Sequence, residues 1–89
     1  MDIIIAEVDE LRMHFAKGYL SNGDEYKEIT KHKACLCILS GACVVSFHDR
    51  DSEYTAGTGD MILLEAGVEL SIANYNEEAT VICFVELED

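Results

Sequence analysis

The chain has 89 residues, of which 18 are acidic and six are Lys or Arg, so its net charge is −12 with neutral histidines. A surface this acidic repels phosphate backbones, and we expect no direct nucleic-acid binding. The apolar fraction of 49% suits a globular protein, whereas the apolar runs are far shorter than the ~20 residues of a membrane-spanning helix. We therefore expect one domain over residues 1–89, with no membrane contact.

The opening segment, MDIIIAEVDELR, has an acidic residue on each side of a short apolar run. It lacks the basic start and the long apolar segment of a signal peptide, so a cytoplasmic protein is predicted. Ile3–Val8 is predicted as an opening strand. Asp9–Lys17 has acids first and a lysine last, as a short helix does, but a strand is favoured because small β-barrels rarely interrupt their opening strands.

Further along the chain, short strands and turns alternate. Ser21–Asp24 (SNGD) is a turn signal, and Glu25–Lys33 is predicted to continue as an extended polar strand. Cys35–Leu39 and Cys43–Phe47 are too short for helices and are rich in apolar and β-branched residues. Because they flank Ser-Gly, they are predicted to form a hairpin.

The second half continues this pattern. A short strand around Tyr54 and the turn GTGD precede two predicted strands, Met61–Leu64 and Glu69–Ala73, and the last strand is predicted over Thr80–Leu87. No repeat or linker divides the chain. Strands at this spacing predict an all-β sandwich or barrel.

Four cysteines raise the question of a disulfide or a zinc site. Cys35 and Cys37 are two residues apart on one strand, about 6.5 Å along it, which suits neither a relaxed disulfide nor paired metal ligation. In the predicted hairpin Cys43 lies opposite Ile38 and so points to the other face. No three thiols then converge, and together with Cys83 they are expected to be small buried hydrophobes in a reducing cytosol.

One stretch near the middle, GDMILLEAGVELSIAN, resembles the second conserved motif of the cupin family. In that motif a glycine is followed by a five-residue strand, a proline, a second glycine, a metal-binding histidine and an asparagine. Gly59, Gly67 and Asn74 occupy the matching positions. Glu65 stands at the proline position, and Leu70 stands at the metal-ligating histidine position.

The resemblance covers about 25–87 and implies a small cupin-like β-barrel, a double-stranded β-helix or jelly roll. The first cupin motif would end at Gly41, and counting back puts its glutamate at Ala34 and its histidines near Glu28 and Thr30. Shifting the register by one residue gives no better set. Because borderline and hard metals need three or more suitable ligands, no metal and no cofactor are expected.

The same resemblance gives a candidate ligand pocket. Strand alternation places His32 on the face of Thr30 and Ala34, which would point into the barrel. The predicted interior is otherwise apolar, and the candidate ligand-binding residues are Thr30, His32, Leu36, Ile38, Phe47, Leu70 and Ile72. Side chains filling the core are favoured, and a histidine at the barrel mouth is favoured for His32. The alternative is one small apolar or amphipathic ligand oriented by His32 and Thr30.

No catalytic residue is predicted. The serines lack a nearby histidine and carboxylate in any recognised order, and the fragment HDRD at 48–51 lies in a turn rich in Asp. The segments CILSGACVVSF and GTGDMILLEAGVEL resemble the N-terminal domains of AraC-type transcriptional regulators. That resemblance implies a non-enzymatic domain that senses a small effector, mediates dimerisation, or both.

On this reading the chain is an excised sensor domain without its DNA-binding domain, or a free-standing relative. The alternative is a small cupin enzyme, an isomerase or dioxygenase, with an unusual metal site around His32 and Glu28. A third possibility is a structural interaction domain with a sealed interior.

A homodimer is also predicted, on physical grounds. Cys35, Cys37 and Leu39 form an apolar stripe on the outward side of their strand, and a small barrel has little chain with which to cover it. Either Ile3–Val8 folds over this stripe or a second subunit covers it.

Overall fold

The structure, a computed structural model, describes residues 2–8 and 13–87, with side chains from residue 15 onward. Nine strands occupy this part of the chain: β1 Asp2–Val8, β2 Met13–Leu20, β3 Glu25–Ile29, β4 Ala34–Ser40, β5 Ala42–Phe47, β6 Ser52–Gly57, β7 Met61–Leu64, β8 Glu69–Ala73 and β9 Thr80–Leu87. They form two antiparallel sheets, in the orders β1-β2-β9-β4-β7 and β3-β8-β5-β6. The all-β prediction is confirmed.

Strand alternation explains the core between the two sheets. Every second residue of β4 and β5 is buried, and β8 and β9 follow the same pattern over most of their lengths. Apolar side chains at these positions meet in a single cluster. The largest of them, such as Leu36 and Ile72, have no exposed surface, and burying each one contributes about 1.5–3 kcal/mol.

The second strand forms as predicted where it is described. β2 begins at Met13, so a strand rather than a helix is confirmed over Met13–Lys17, and Asp9–Arg12 lie outside the described residues. The extended strand predicted over Glu25–Lys33 is wrong beyond Ile29. The carboxylate of Glu86 accepts hydrogen bonds from two consecutive backbone N–H groups there, those of residues 31 and 32, which holds the chain in a bend.

The predicted hairpin at Ser-Gly is wrong. β4 pairs with β7 and β9, whereas β5 pairs with β6 and β8, so the chain crosses from one sheet to the other at Gly41. Gly41 has φ +92°, and a Cβ there would lie 3.0 Å from both the Ala79 carbonyl oxygen and the Thr80 hydroxyl. Glycine is therefore required for this close crossing. Cys43 still points inward. The buried positions are even-numbered in β4 and odd-numbered in β5, the same change of parity that a two-residue turn would give.

Asn74, the last residue of the cupin-like motif, is fully buried and holds three segments together. Its amide nitrogen donates to the carbonyl oxygens of Leu20 (2.8 Å) and Glu78 (2.9 Å). Its amide oxygen accepts from the backbone N–H of Asn76 at 2.8 Å. The side chain thus satisfies three backbone groups, of which the Leu20 carbonyl is in a buried bond and the other two are in part-buried bonds.

Asn74→Ala is expected to lower the free energy of unfolding by about 2 to 4 kcal/mol, because each buried backbone group left unpaired costs about 1–3 kcal/mol. Denaturant unfolding followed by circular dichroism measures the change. Asn76→Ala is the matched control, since that exposed side chain donates only one bond, to the Ala42 carbonyl. Equal losses in the two variants would contradict this role of Asn74.

Candidate functional site

The residues at the cupin metal positions do not fit a metal ion. Leu70 and Ala34 offer no ligand atom and are buried at 0% and 7% exposure. The hydroxyl of Thr30 donates to the Glu65 carbonyl at 2.6 Å and accepts from the Val68 backbone N–H at 2.8 Å. Among the described residues, no group of three or more His, Cys, Asp or Glu side chains is arranged to hold a metal.

Glu28, the fourth of the cupin metal positions, is hydrogen-bonded to Tyr26. The Tyr26 hydroxyl donates a hydrogen bond to the Glu28 carboxylate. Burial raises the pKa of Tyr26 well above its ordinary value, and this hydrogen bond raises it further. Tyr26 and Glu28 alternate along β3 with the exposed Lys27 and Ile29, and that alternation was the signal that could have paired Tyr26 with Glu28.

His32 does not lie on a strand. It occupies the bend between β3 and β4, so the alternation used to place it does not apply there. Its side chain is half-buried, and its backbone N–H donates to Glu86 Oε1 at 2.7 Å. A ligand contact by His32 stays a prediction.

The other candidate ligand residues are all buried in the core cluster. These are Leu36, Ile38, Phe47, Leu70 and Ile72. The cavity lined by Ala16, Gly18, Tyr26, Ile82 and Phe84 has a volume of about 10 Å³, which is at the lower limit for one water molecule. Side chains therefore fill this part of the interior, and ligand binding by the five core residues stays a prediction.

The solvent-facing side of the five-stranded sheet is mainly apolar over four of its strands. Its register sets Lys17, Cys83, Cys37 and Met61 in one row across β2, β9, β4 and β7. The outward positions of these four strands, called the outer face below, are Phe15, Lys17, Tyr19, Cys35, Cys37, Leu39, Met61, Leu63, Val81, Cys83, Val85 and Leu87. None of them is acidic, and Leu63 and Met61 are 81% and 65% exposed.

The four-stranded sheet shows that the absence of acidic residues is not a general property of the surface. Its corresponding outward row runs Lys27, Ser71, Ser46 and Glu53 across β3, β8, β5 and β6. Every member is polar or charged. In a chain with 18 acidic residues, four neighbouring strands without an acidic outward residue therefore differ from the rest of the surface.

The N-terminal strand does not cover the predicted apolar stripe. β1 pairs with β2 at the edge of the same sheet, and β2 and β9 separate it from β4. The segment 3–8 extends the sheet sideways instead of folding over Cys35 and Cys37. The alternative in which Ile3–Val8 folds over the stripe is therefore wrong, and a second subunit over it stays a prediction.

Three thiols lie together on the outer face. The sulfur atoms of Cys35 and Cys37 are 3.6 Å apart, and Cys83 lies directly opposite Cys37 on β9. The sequence did not place β9 beside β4 and so did not bring Cys83 next to Cys37, although no three of the described thiols form a metal-holding group. The prediction that the cysteines are small buried hydrophobes holds for Cys43 and is wrong for the half-buried Cys35, Cys37 and Cys83. Burial raises the pKa of Cys35 to about 11 and also raises that of Cys83.

No family model and no curated protein sequence matches the chain. Solved structures do resemble it. The Cupin_2 domain of an XRE family transcriptional regulator from Enterobacter cloacae has a TM-score of 0.83 at 8% identity, over 99% of this chain and 94% of that one. A cupin superfamily protein from Desulfitobacterium hafniense DCB-2 has a TM-score of 0.81 at 18% identity, over 99% and 79%.

A Cupin 2 conserved barrel domain protein from Salinispora arenicola CNS-205 has a TM-score of 0.77 at 14% identity, over 86% of this chain. The chain spans 64% of that protein's length. At such low identities the likeness concerns the fold alone, and it shows that the chain has the cupin fold, a double-stranded β-helix. In the described part of the chain, no helix is long and apolar enough to cross a membrane.

Proposed function

We propose that this chain is a non-enzymatic cupin-fold module that pairs with a second copy of itself through the outer face. The outer face, whose positions on β2, β9, β4 and β7 include no acidic residue, carries this proposal. The neighbour from Enterobacter cloacae is a cupin domain of a transcriptional regulator, which supports a role within a regulator. Dimerisation is what the AraC-type resemblance of the two sequence segments implies, and it is part of the proposal.

Electrostatic repulsion between acidic surfaces favours the outer face as the contact between two copies of the chain. Two copies that each carry a net charge of −12 repel one another wherever acidic side chains meet. On the outer face the only charged side chain is Lys17, so two such faces approach without that repulsion. A twofold contact is self-complementary by symmetry, and a face rich in aliphatic side chains satisfies that requirement without matched charges.

The filled part of the interior beside Tyr26 and Phe84 favours pairing over sensing a ligand there. An effector that entered there would have to displace core side chains such as Leu36 and Ile72, which have no exposed surface. The enzyme alternative, centred on His32 and Glu28, has less support. Glu28 is engaged by Tyr26, and the described backbone contact of His32 anchors a bend.

Sedimentation equilibrium of the reduced chain over a range of concentrations tests the proposal. We expect a dimer at high concentration that dissociates on dilution, with the equilibrium shifting toward dimer as added salt screens the acidic surfaces. A monomer at every concentration and salt level would overturn the proposal.

A further inference from the structure

Most of the described sulfur atoms gather at one point of the outer face. Cys37 lies between Cys83 on β9 and Met61 on β7, as the direct partner of each. Cys35 adds a third thiol, with its sulfur 3.6 Å from that of Cys37. Three of the four cysteines and one of the three methionines therefore share this patch.

These thiols are not simply small core residues. Cys43 has that role, at 2% exposure inside the barrel. Cys35, Cys37 and Cys83 are only half-buried and point away from the core. Their neighbours on the outer face are mainly aliphatic or aromatic, so the thiols are the coordinating groups of this surface.

The single charged side chain of the outer face stands beside them. Lys17 is the direct partner of Cys83 across β2 and β9. Its Nζ lies 5.4 Å from the centroid of the Tyr19 ring, which keeps the ammonium group near this face. The positive charge of Lys17 lowers the pKa of Cys83, against the stronger effect of burial. A cation placed here compensates negative charge that develops on sulfur.

We propose that Cys37, together with either Cys35 or Cys83, binds one monovalent copper ion through two thiolates, with the Met61 thioether as an additional soft donor. Two thiols lose their protons to solvent and two sulfur–copper bonds form, with no change in the oxidation state of copper. The resulting bis-thiolate complex carries one negative charge, which Lys17 offsets.

The ligand set selects this ion. Thiolate and thioether sulfur are soft donors that favour Cu(I), whereas zinc in structural sites takes four ligands in a tetrahedral arrangement. The outer face has no carboxylate or imidazole to complete such a site. Two thiolates satisfy Cu(I), so the site does not require three ligands converging on one centre, and none of the described residues form such a group.

The copper site goes beyond the proposed function and does not depend on it. The two share the outer face, so the titration is made on protein diluted into the monomer range, whereas the dimer test is made without copper. A chain that never dimerises still gives a clear copper result, and a chain that ignores copper still gives a clear sedimentation result.

The test is an anaerobic titration of the reduced chain with Cu(I) in competition with a chromophoric Cu(I) chelator. We expect one copper per chain for the wild type and for the matched control Cys43→Ala. Cys37→Ser is expected to weaken copper binding by more than about tenfold. Removing only an outer-shell partner of a metal ligand already weakens metal binding by about tenfold, and Cys37 is a direct ligand. Lys17→Gln is expected to weaken binding by about tenfold through the lost compensating charge.

Circular dichroism confirms the fold of each variant, and Cys37→Val replaces Cys37→Ser if the serine variant does not fold, because valine suits a strand. A wild type that takes no copper from the chelator would overturn the proposal. So would a Cys37 variant that binds as tightly as the wild type, or a Cys43→Ala variant that loses binding to the same extent as Cys37→Ser.

Discussion

Leu63→Glu is expected to convert the proposed dimer into a monomer. Leu63 is 81% exposed in the isolated chain and lies in the outward row with Cys35 and Val85. A twofold interface contains the substitution twice, and each leucine loses about 1.5–3 kcal/mol of burial. The dissociation constant is therefore expected to rise by roughly two to four powers of ten. The new carboxylates add repulsion between surfaces that were free of acids.

Sedimentation equilibrium measures the shift, and the thermal midpoint of the monomer is expected to stay within a few degrees of the wild type, because an exposed side chain contributes little to folding. Tyr75→Glu is the matched control. Tyr75 is 69% exposed but lies between β8 and β9, away from the outer face. A dimer that survives Leu63→Glu, or one that Tyr75→Glu breaks equally, would refute this interface.

The side on which each residue lies could be predicted from the sequence, because strand alternation is a local property. Leu36, Ile38 and Cys43 are buried as their parity indicates, even though the predicted hairpin that connected them is wrong. The inward positions change from even-numbered in β4 to odd-numbered in β5, and a two-residue turn at Ser-Gly predicts the same change, so the sides were predicted correctly despite the wrong connection.

The neighbours of each strand could not be predicted in this way. A Ser-Gly pair suits a hairpin turn, but here Gly41 passes close to the Ala79 carbonyl, a contact that depends on a distant part of the chain. Local turn signals do not include such contacts. The placement of β9 beside β4, and so of Cys83 beside Cys37, depends on the same long-range packing.

The outer face had a signal in the sequence of the last strand, which rules for turns and hairpins do not use. From Thr80 to Phe84 the last strand is apolar at both parities apart from its first residue, which is typical of a strand covered on both sides. The cupin-like motif, in contrast, indicated the interior correctly. Leu70, at the position of the family's metal ligand, is buried at 0% exposure.

Leu70→His restores the residue type of the cupin metal position and is expected to destabilise the fold without restoring a metal site. Removing the buried leucine and leaving an unpaired imidazole costs about 3 to 6 kcal/mol. Zinc is expected to leave the thermal midpoint unchanged, because Ala34 offers no ligand atom and the Thr30 hydroxyl is bonded to Glu65 and Val68.

The destabilisation is expected to depend on pH. A histidine buried among apolar side chains has its folded pKa below the unfolded value of about 6.5, since burial disfavours the charged form. The unfolded chain then binds more protons, so stability falls as the pH drops from about 7.5 to 5.5. Leu70→Met is the control, with an expected loss below about 1.5 kcal/mol and no added pH dependence. Denaturant unfolding at both pH values measures these effects. If zinc stabilised Leu70→His but not the wild type, the remaining positions would still form a metal site, and the loss of that site in this chain would rest on Leu70 alone.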